Sequence, residues 1–155
     1  LGDVYKRQAN KGYLPVKNIK KGDVVHIHFD MPVRTVVANN NVKDDEGRVA
    51  VERGPIVYCA EAVDNQNEPV LRAVIGKQPA FDVVDNYKID NTETKGAPAF
   101  AVKAITTQAQ MLEDGANGVS VKNQKLTLIP YYAWNHRGAD QMNVWFVQSL
   151  KMLDK

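Results

Sequence analysis

The apolar residues of this chain come in short runs cut by turn chemistry, and no segment sustains a capped apolar stripe at helical spacing. Asp23-Val-Val-His-Ile-His-Phe29 alternates strictly. Val25, Ile27 and Phe29 share one face of the predicted strand, and Val24, His26 and His28 share the other. Met31-Pro-Val-Arg-Thr-Val-Val37 is β-branched, with Pro32 where an edge or a strand start tolerates it. Arg48-Val-Ala-Val51 and Pro55-Ile-Val-Tyr-Cys59 flank the turn at Arg53-Gly54. Lys125-Leu-Thr-Leu-Ile129 alternates again, and Met142-Asn-Val-Trp-Phe-Val147 is the last clear strand. Residues 70–75 and 80–84 are weaker strand candidates, and the alanines of 99–105 leave a helix open beside the strand reading. Residues 62–69 and 85–98 read as polar loops, and 106–123 carry little signal. Many short strands between turns predict an all-β fold, an antiparallel β-sandwich rather than a barrel or an α/β sheet.

Composition narrows the partners. The 155 residues are 44% hydrophobic, enough for a core, and the net charge is only +2, with lysine and arginine scattered among acids. No basic stripe marks a nucleic-acid surface. No apolar run approaches the roughly 18 residues that would suggest a membrane span. One cysteine, Cys59, excludes an intrachain disulfide and a cysteine-rich zinc site.

Each chemical motif has a plain structural counterpart. His26 and His28 could share a metal from one strand face, but a site needs further ligands, and a solvated face is the simpler reading. Cys59 lies in an apolar strand, where a thiol is buried and inert rather than nucleophilic. Glycosidases use two carboxyl groups facing each other across a cleft, about 5 Å or roughly 6.5–9.5 Å apart. Asp44, Asp45 and Glu46 read instead as a solvated turn, and Glu52 and Glu61 flank the Arg53-Gly54-Pro55 turn without a sign of perturbed acidity. The chain Pro130-Tyr-Tyr-Ala-Trp-Asn-His-Arg-Gly138 offers the candidate contact residues: Tyr132, Trp134, His136 and Arg137, with Tyr131 and Trp145 nearby. Aromatic faces stack on sugars and arginine donates to hydroxyl or carboxylate oxygens. As a strand, this segment would put Tyr131 and Ala133 on one face and Tyr132 and Trp134 on the other, one set filling core or interface.

Several motifs occur in order: Gly12-Tyr13, Lys21-Gly-Asp-Val-Val25, Met31-Pro-Val-Arg34, Ala38-Asn39, the run Gly47 to Cys59, and Ile129 to Gly138. Together they resemble the C-terminal part of glycoside hydrolase family 127, the β-L-arabinofuranosidase family. The resemblance is dense over 12–61 and 129–146, and an aromatic residue usual in the family near Ile19 is missing. It implies an (α/α)6-barrel catalytic domain followed by β-sandwich domains. It also implies a Cys nucleophile, a Glu acid/base and a zinc held by Cys and Glu, all in the barrel. None of those maps onto this chain, so no catalytic, cofactor or metal residue is expected in it.

The expectation is therefore a non-catalytic accessory sandwich, inactive alone, from a bacterial enzyme acting on β-L-arabinofuranosyl or related linkages. Residues 9–37 would close a partial first sandwich and pack as an appendage, and 38–150 would form the C-terminal one. Leu1 to Gln8 resembles translated adapter sequence at the ends of metagenomic reading frames, so 1–8 reads as non-native. The partners implied are the catalytic barrel of the same polypeptide, a second copy in a homodimer, and a plant-derived glycan; a carbohydrate-binding or dimerisation module is the alternative role. The compartment stays open between cytoplasm and periplasm or exterior.

Overall fold

The computed structural model describes residues 11–89, 92, 93, 97–111, 113, 115 and 117–152. The segment 1–8, read as non-native, lies outside the described residues. The expected all-β, antiparallel architecture is what the chain adopts. Strand β1 is Val33–Val36, β2 Arg48–Arg53, β3 Ile56–Glu61, β4 Phe81–Val84, β5 Lys88–Ile89 and β6 Thr92–Glu93. Strand β7 is Ala99–Met111, β8 Asn117–Pro130, β9 Met142–Asn143 and β10 Phe146–Val147.

The main sheet has the order β1-β2-β3-β8-β7-β4, with β10 added to β2 and β9 to β3. Its two layers belong to one sheet that curls over its own core. Segment 73–75 joins the two ends of the curl. Val74 exchanges hydrogen bonds with Ile105 of β7 at 2.8 and 2.9 Å. On its other side, Ile75 N–H donates to the Val147 carbonyl and Val147 N–H to the Ala73 carbonyl, both at 3.1 Å. The strand path therefore returns through β10 to β2.

Alternation sorts the side chains into two apolar clusters. Inside the curl lie Val49 and Val51 of β2, Tyr58 and Ala60 of β3, Phe100 and Val102 of β7, Leu126 and Leu128 of β8, and Phe146. Tyr58 and Phe100 meet edge to face at 5.0 Å, a favoured geometry for ring quadrupoles. On the outer face Cys59, Ala99 and Ile129 pack with Ile89 and Ala133, flanked by Tyr87, Met142 and Val144. The outer cluster is thus roofed by residues 84–89 and by the stretch 131–144.

The structure departs from the sequence expectations at several places. Residues 23–29 form no strand, and Val24, Ile27 and Phe29 are 75%, 66% and 72% exposed. Their alternation is real, but among the described residues no strand lies alongside to hydrogen-bond with them. Val33–Val36 pairs with β2, so the sheet begins before residue 37. Residues 106–111 and 117–123, in the stretch weak in signal, belong to a long antiparallel pair, β7 with β8, whose register runs from Phe100 opposite Leu128 to Met111 opposite Asn117. The expected strand 142–147 is two short pieces, because β9 pairs with β3 while β10 pairs with β2.

The β2–β3 hairpin has the two-residue loop Gly54-Pro55, with Arg53 opposite Ile56. Gly54 sits at φ +55°, the residue pattern of a type II′ turn, which follows the strand twist. A Cβ there would lie 2.6 Å from Met31 Sδ, the tip of a side chain that can move aside. The backbone term then dominates. Gly54→Ala is expected to cost about 1–2 kcal/mol, the penalty for an L-residue in the left-handed region, read as a lower urea midpoint at unchanged slope.

Candidate functional site

The strand β8 ends at Pro130, which lies opposite Tyr58 at the end of its pairing with β3. Proline has no N–H to extend the ladder, and the chain turns at once into a 3-10 helix over Tyr131–Ala133. The aromatic run is therefore not a strand, and the alternation expected for it is replaced. In a 3-10 turn residues three apart eclipse. Tyr131 and Trp134 stack with ring centroids 5.7 Å apart and planes 22° apart. Ala133 alone points into the outer cluster. Tyr131, Tyr132 and Trp134 remain 43%, 59% and 38% exposed, so none of them fills the core. His136 is exposed beside them.

Arg137 does the opposite. Its side chain is only 16% exposed, and it reaches under the turn to two carboxylates that are each 1% exposed. The guanidinium donates from Nη2 to Glu61 Oε2 at 2.7 Å and to Asp64 Oδ2 at 2.6 Å, and from Nη1 to Asp64 Oδ1. This fork on Asp64 is the bidentate geometry that arginine supplies and lysine cannot. Asn135 N–H donates to Glu61 Oε1 at 3.0 Å, and the Tyr87 hydroxyl donates to Asp64 Oδ1. The cluster ties together the end of β3, the turn at Ala62–Asn65, the roof residue Tyr87 and the loop after Trp134.

Asn65 completes the arrangement. Its amide donates to the carbonyls of Glu61 at 2.7 Å and Thr127 at 3.1 Å, and its Oδ1 accepts from Thr127 N–H at 2.7 Å. A side chain thus continues the β3–β8 ladder after the backbone has turned away. Sequence reasoning placed Arg137 among the contact residues and assigned Glu61 a structural part. It missed Asp64 and Tyr87, which sit in polar stretches read as loops. The one sequence signal for Asp64 is its place directly after the apolar pair Ala62-Val63.

The electrostatics are those of a fastening. The hydrogen bonds from Arg137 to Asp64, and then to Glu61, hold its guanidinium charged well above the ordinary arginine range. Burial, helped by the nearby carboxylates of Glu61 and Asp64, pushes the Cys59 thiol up to about 12. Burial also raises the Tyr58 and Tyr87 hydroxyls to about 12, and for Tyr87 the bond to Asp64 adds to it. Cys59 is 0% exposed, so its thiol is protonated and sealed at neutral pH.

The two buried acids share one cation rather than facing each other across an open cleft, which is unlike a glycosidase pair. His28 stands beside Asp30 at 3.3 Å on the exposed N-terminal stretch, far out in solvent. Among the described residues no three His, Cys, Asp or Glu side chains stand together as a metal would need. The described residues therefore offer no ligand set for the zinc, which the family resemblance places in the barrel.

Removing the cation would strand both carboxylates. Arg137→Met should destabilise the fold by about 3–5 kcal/mol, the range for breaking a buried ion pair from one side, measured by urea unfolding. Alkali supplies a second check. Tyr58, Tyr87 and Cys59 ionise later in the folded chain than in the unfolded one, so their contribution is whole below pH 9 and is lost as pH rises toward 12. Ultraviolet titration should show two tyrosinates appearing only near pH 12, together with unfolding.

Comparison with known proteins agrees with the pattern of sheet and roof. The family model described as the glycoside hydrolase family 127 C-terminal domain matches residues 33–147, from β1 to β10. A non-reducing end β-L-arabinofuranosidase of Bifidobacterium longum subsp. longum is 33% identical over 132 residues, covering 82% of this chain and 20% of that protein. A solved family 127 β-arabinofuranosidase is similar with a TM-score of 0.65 and 41% identity, over 80% of this chain and 18% of the other. The family 127 β-L-arabinofuranosidase of Geobacillus stearothermophilus T6 gives 0.64 and 27%, over 77% and 18%. The chain spans about a fifth of the length of the curated relative. A match that runs the full width of the curled sheet, and takes in the loop that Arg137 fastens, shows that this chain belongs to glycoside hydrolase family 127, in the part that forms its C-terminal domain.

Proposed function

We propose that the chain is a non-catalytic supporting sandwich of a β-L-arabinofuranosidase-like enzyme, packed against a catalytic (α/α)6 barrel carried elsewhere on the polypeptide. The observation that carries this reading is the Arg137 cluster. The chain's buried acids, Glu61 and Asp64, are consumed in holding a loop, and its one thiol is sealed under that loop. A glycosidase needs an acid free to exchange a proton with the leaving oxygen and a second group free to attack or to activate water. Neither role is open to groups locked in this way. The enzyme's nucleophile, acid/base and zinc would then all belong to the barrel, and the substrate would be a β-L-arabinofuranosyl or related linkage of a plant-derived glycan.

The exposed apolar stretch supports the same reading from the other side. Val24, Ile27 and Phe29 are large side chains left in water, the condition of a surface that is covered in the assembled protein. A second reading rests on Tyr131 and Trp134. Their stacked pair, with Tyr132 and His136 alongside, presents an aromatic ledge on which a sugar face could lie.

Assayed alone on a chromogenic β-L-arabinofuranoside, the chain should release product at the buffer rate; turnover above it that disappears on Glu61→Gln would overturn the supporting role. Tryptophan fluorescence should stay flat with millimolar arabino-oligosaccharide, whereas a saturable change lost in Trp134→Ala would favour the ledge.

A further inference from the structure

The rings of Tyr131, Tyr132 and Trp134 stay in water although the turn that carries them is held by buried groups. Asn135 N–H donates to Glu61 Oε1 at 3.0 Å, and Arg137 donates to Glu61 and Asp64, whose carboxylates are each 1% exposed. Of the turn itself, only Ala133 joins the outer cluster. Packing that cluster gives no reason for three large aromatic side chains outside it, 43%, 59% and 38% exposed. Aromatic residues presented on a fixed backbone have the composition and the preorganisation of a docking site. A sugar suits them less well than a protein surface does. Tyr131 and Trp134 stack on each other at 5.7 Å, so each ring already has one face covered. A sugar platform needs free ring faces, whereas a protein surface also packs against ring edges and polar tips.

The place of the ledge in the fold points to the partner. β8 leaves the sheet at Pro130, opposite Tyr58 and near the start of β3. This is the end of the sheet at which Gly54 turns β2 into β3. β1 enters at the same end, with Val33 opposite Arg53 and Met31 beside Gly54. In the order β1-β2-β3-β8, about 14 Å separates the first strand from the last, at roughly 4.8 Å a step. Between them, Val57 is 37% exposed on the face it shares with Cys59. Ahead of β1, Val25, Ile27 and Phe29 are 48%, 66% and 72% exposed. Exposed apolar groups therefore line the end at which the preceding chain arrives. The β7–β8 pair runs on past the other end of β3.

Magnitude favours a tethered partner. The three rings leave roughly 200–350 Å² in water, taking about 150–250 Å² for a whole aromatic side chain. A free partner needs about 800 Å² on each side. A contact within one polypeptide forms at roughly millimolar effective concentration and holds with less. The relatives have such a tethered body: this chain covers 20% of the curated one, and the matching family model is a C-terminal domain.

We propose that the ledge of Tyr131, Tyr132 and Trp134, with Val57 beside it, is the docking surface for the part of the same polypeptide that precedes this domain. The proposal rests on the supporting role above and gives that role its contact. The surface that fits is apolar, with carbonyl or carboxylate oxygens set to accept from the tyrosine hydroxyls and the indole N–H.

Hydrogen exchange and limited proteolysis on the full polypeptide test this, with the 155-residue chain alone as reference. Amides of 131–134 should exchange at least about ten-fold more slowly in the full polypeptide than in the chain alone. Tyr131→Ala with Trp134→Ala should remove that protection and speed cleavage within 23–32 by about five-fold or more. In the chain alone the same pair should leave the circular dichroism unchanged. Tyr132→Lys, at the most exposed of the three rings, should act on the full polypeptide in the same direction. Equal exchange in the two proteins would overturn the proposal, as would cleavage indifferent to both variants. So would a saturable change in tryptophan fluorescence of the full polypeptide with arabino-oligosaccharide that Trp134→Ala abolishes, which would assign the ledge to a glycan. None of these readouts uses turnover, so the docking and the supporting role fail on separate results.

Discussion

Segment 73–75 holds the curl of the sheet. Its peptide groups alternate as a strand's do: Val74 faces β7, and its two neighbours bond to Val147 of β10. Without this stitch two sheet edges would stand open across a seam, each with unpaired N–H and C=O groups. With it, Val70, Ala73 and Ile75 join the inner cluster beside Phe146. The consequence runs inward. Because the seam is hydrogen-bonded, the large side chains Tyr58, Phe100, Leu126 and Leu128 can all be dry at once inside a single curled sheet. Short unpatterned segments of this kind have little strand signal of their own, yet here one sets the closure of the whole sheet.

The second constraint is electrostatic and acts on position more than on stability. An ion pair removed from water recovers little beyond its desolvation cost, and an apolar substitute of the same shape is often as stable. What Arg137 secures is registry. Its forked bonds to Asp64 and Glu61 fix where the loop after Trp134 crosses β3, so Ala133 drops onto Cys59 and Ile129 and the rings of Tyr131 and Trp134 are turned outward. Apolar residues replacing Arg137, Glu61 and Asp64 together could fill the space without choosing that crossing.

The alternating strands were readable because their two faces differ. Val49 and Val51 lie inward on β2, and Tyr58 and Cys59 fall to opposite sides of β3, as a period of two demands. The outer hairpin was not readable, for the same physical reason: where the apolar face changes sides near Ile105 and Asn123, no single alternation spans the strand. The stretch 23–29 failed differently. Its pattern is a strand's, but pairing is a property of two segments, and no described strand pairs with it. Tyr131 to Trp134 failed because β propensity was weighed without Pro130, which ends the ladder where those rings begin. Of the candidate contact residues, Arg137 was found and its role was not, because Asp64 and Tyr87 are distant in sequence and polar among polar neighbours.

The side chain of Asn65 has a consequence for how this domain can vary. Its amide stands where the next peptide of β3 would have been, giving Thr127 both the donor and the acceptor that a neighbouring strand would supply. The backbone is thereby released from the sheet after Glu61, through the turn Ala62–Asn65 to the left-handed pair Gln66 and Asn67, while Thr127 keeps both of its partners. Insertions after that point would lengthen the loop toward Val70 without sliding β3 against β8. One amide thus separates two things that are usually coupled, the register of a strand pair and the length of the connection that leaves it.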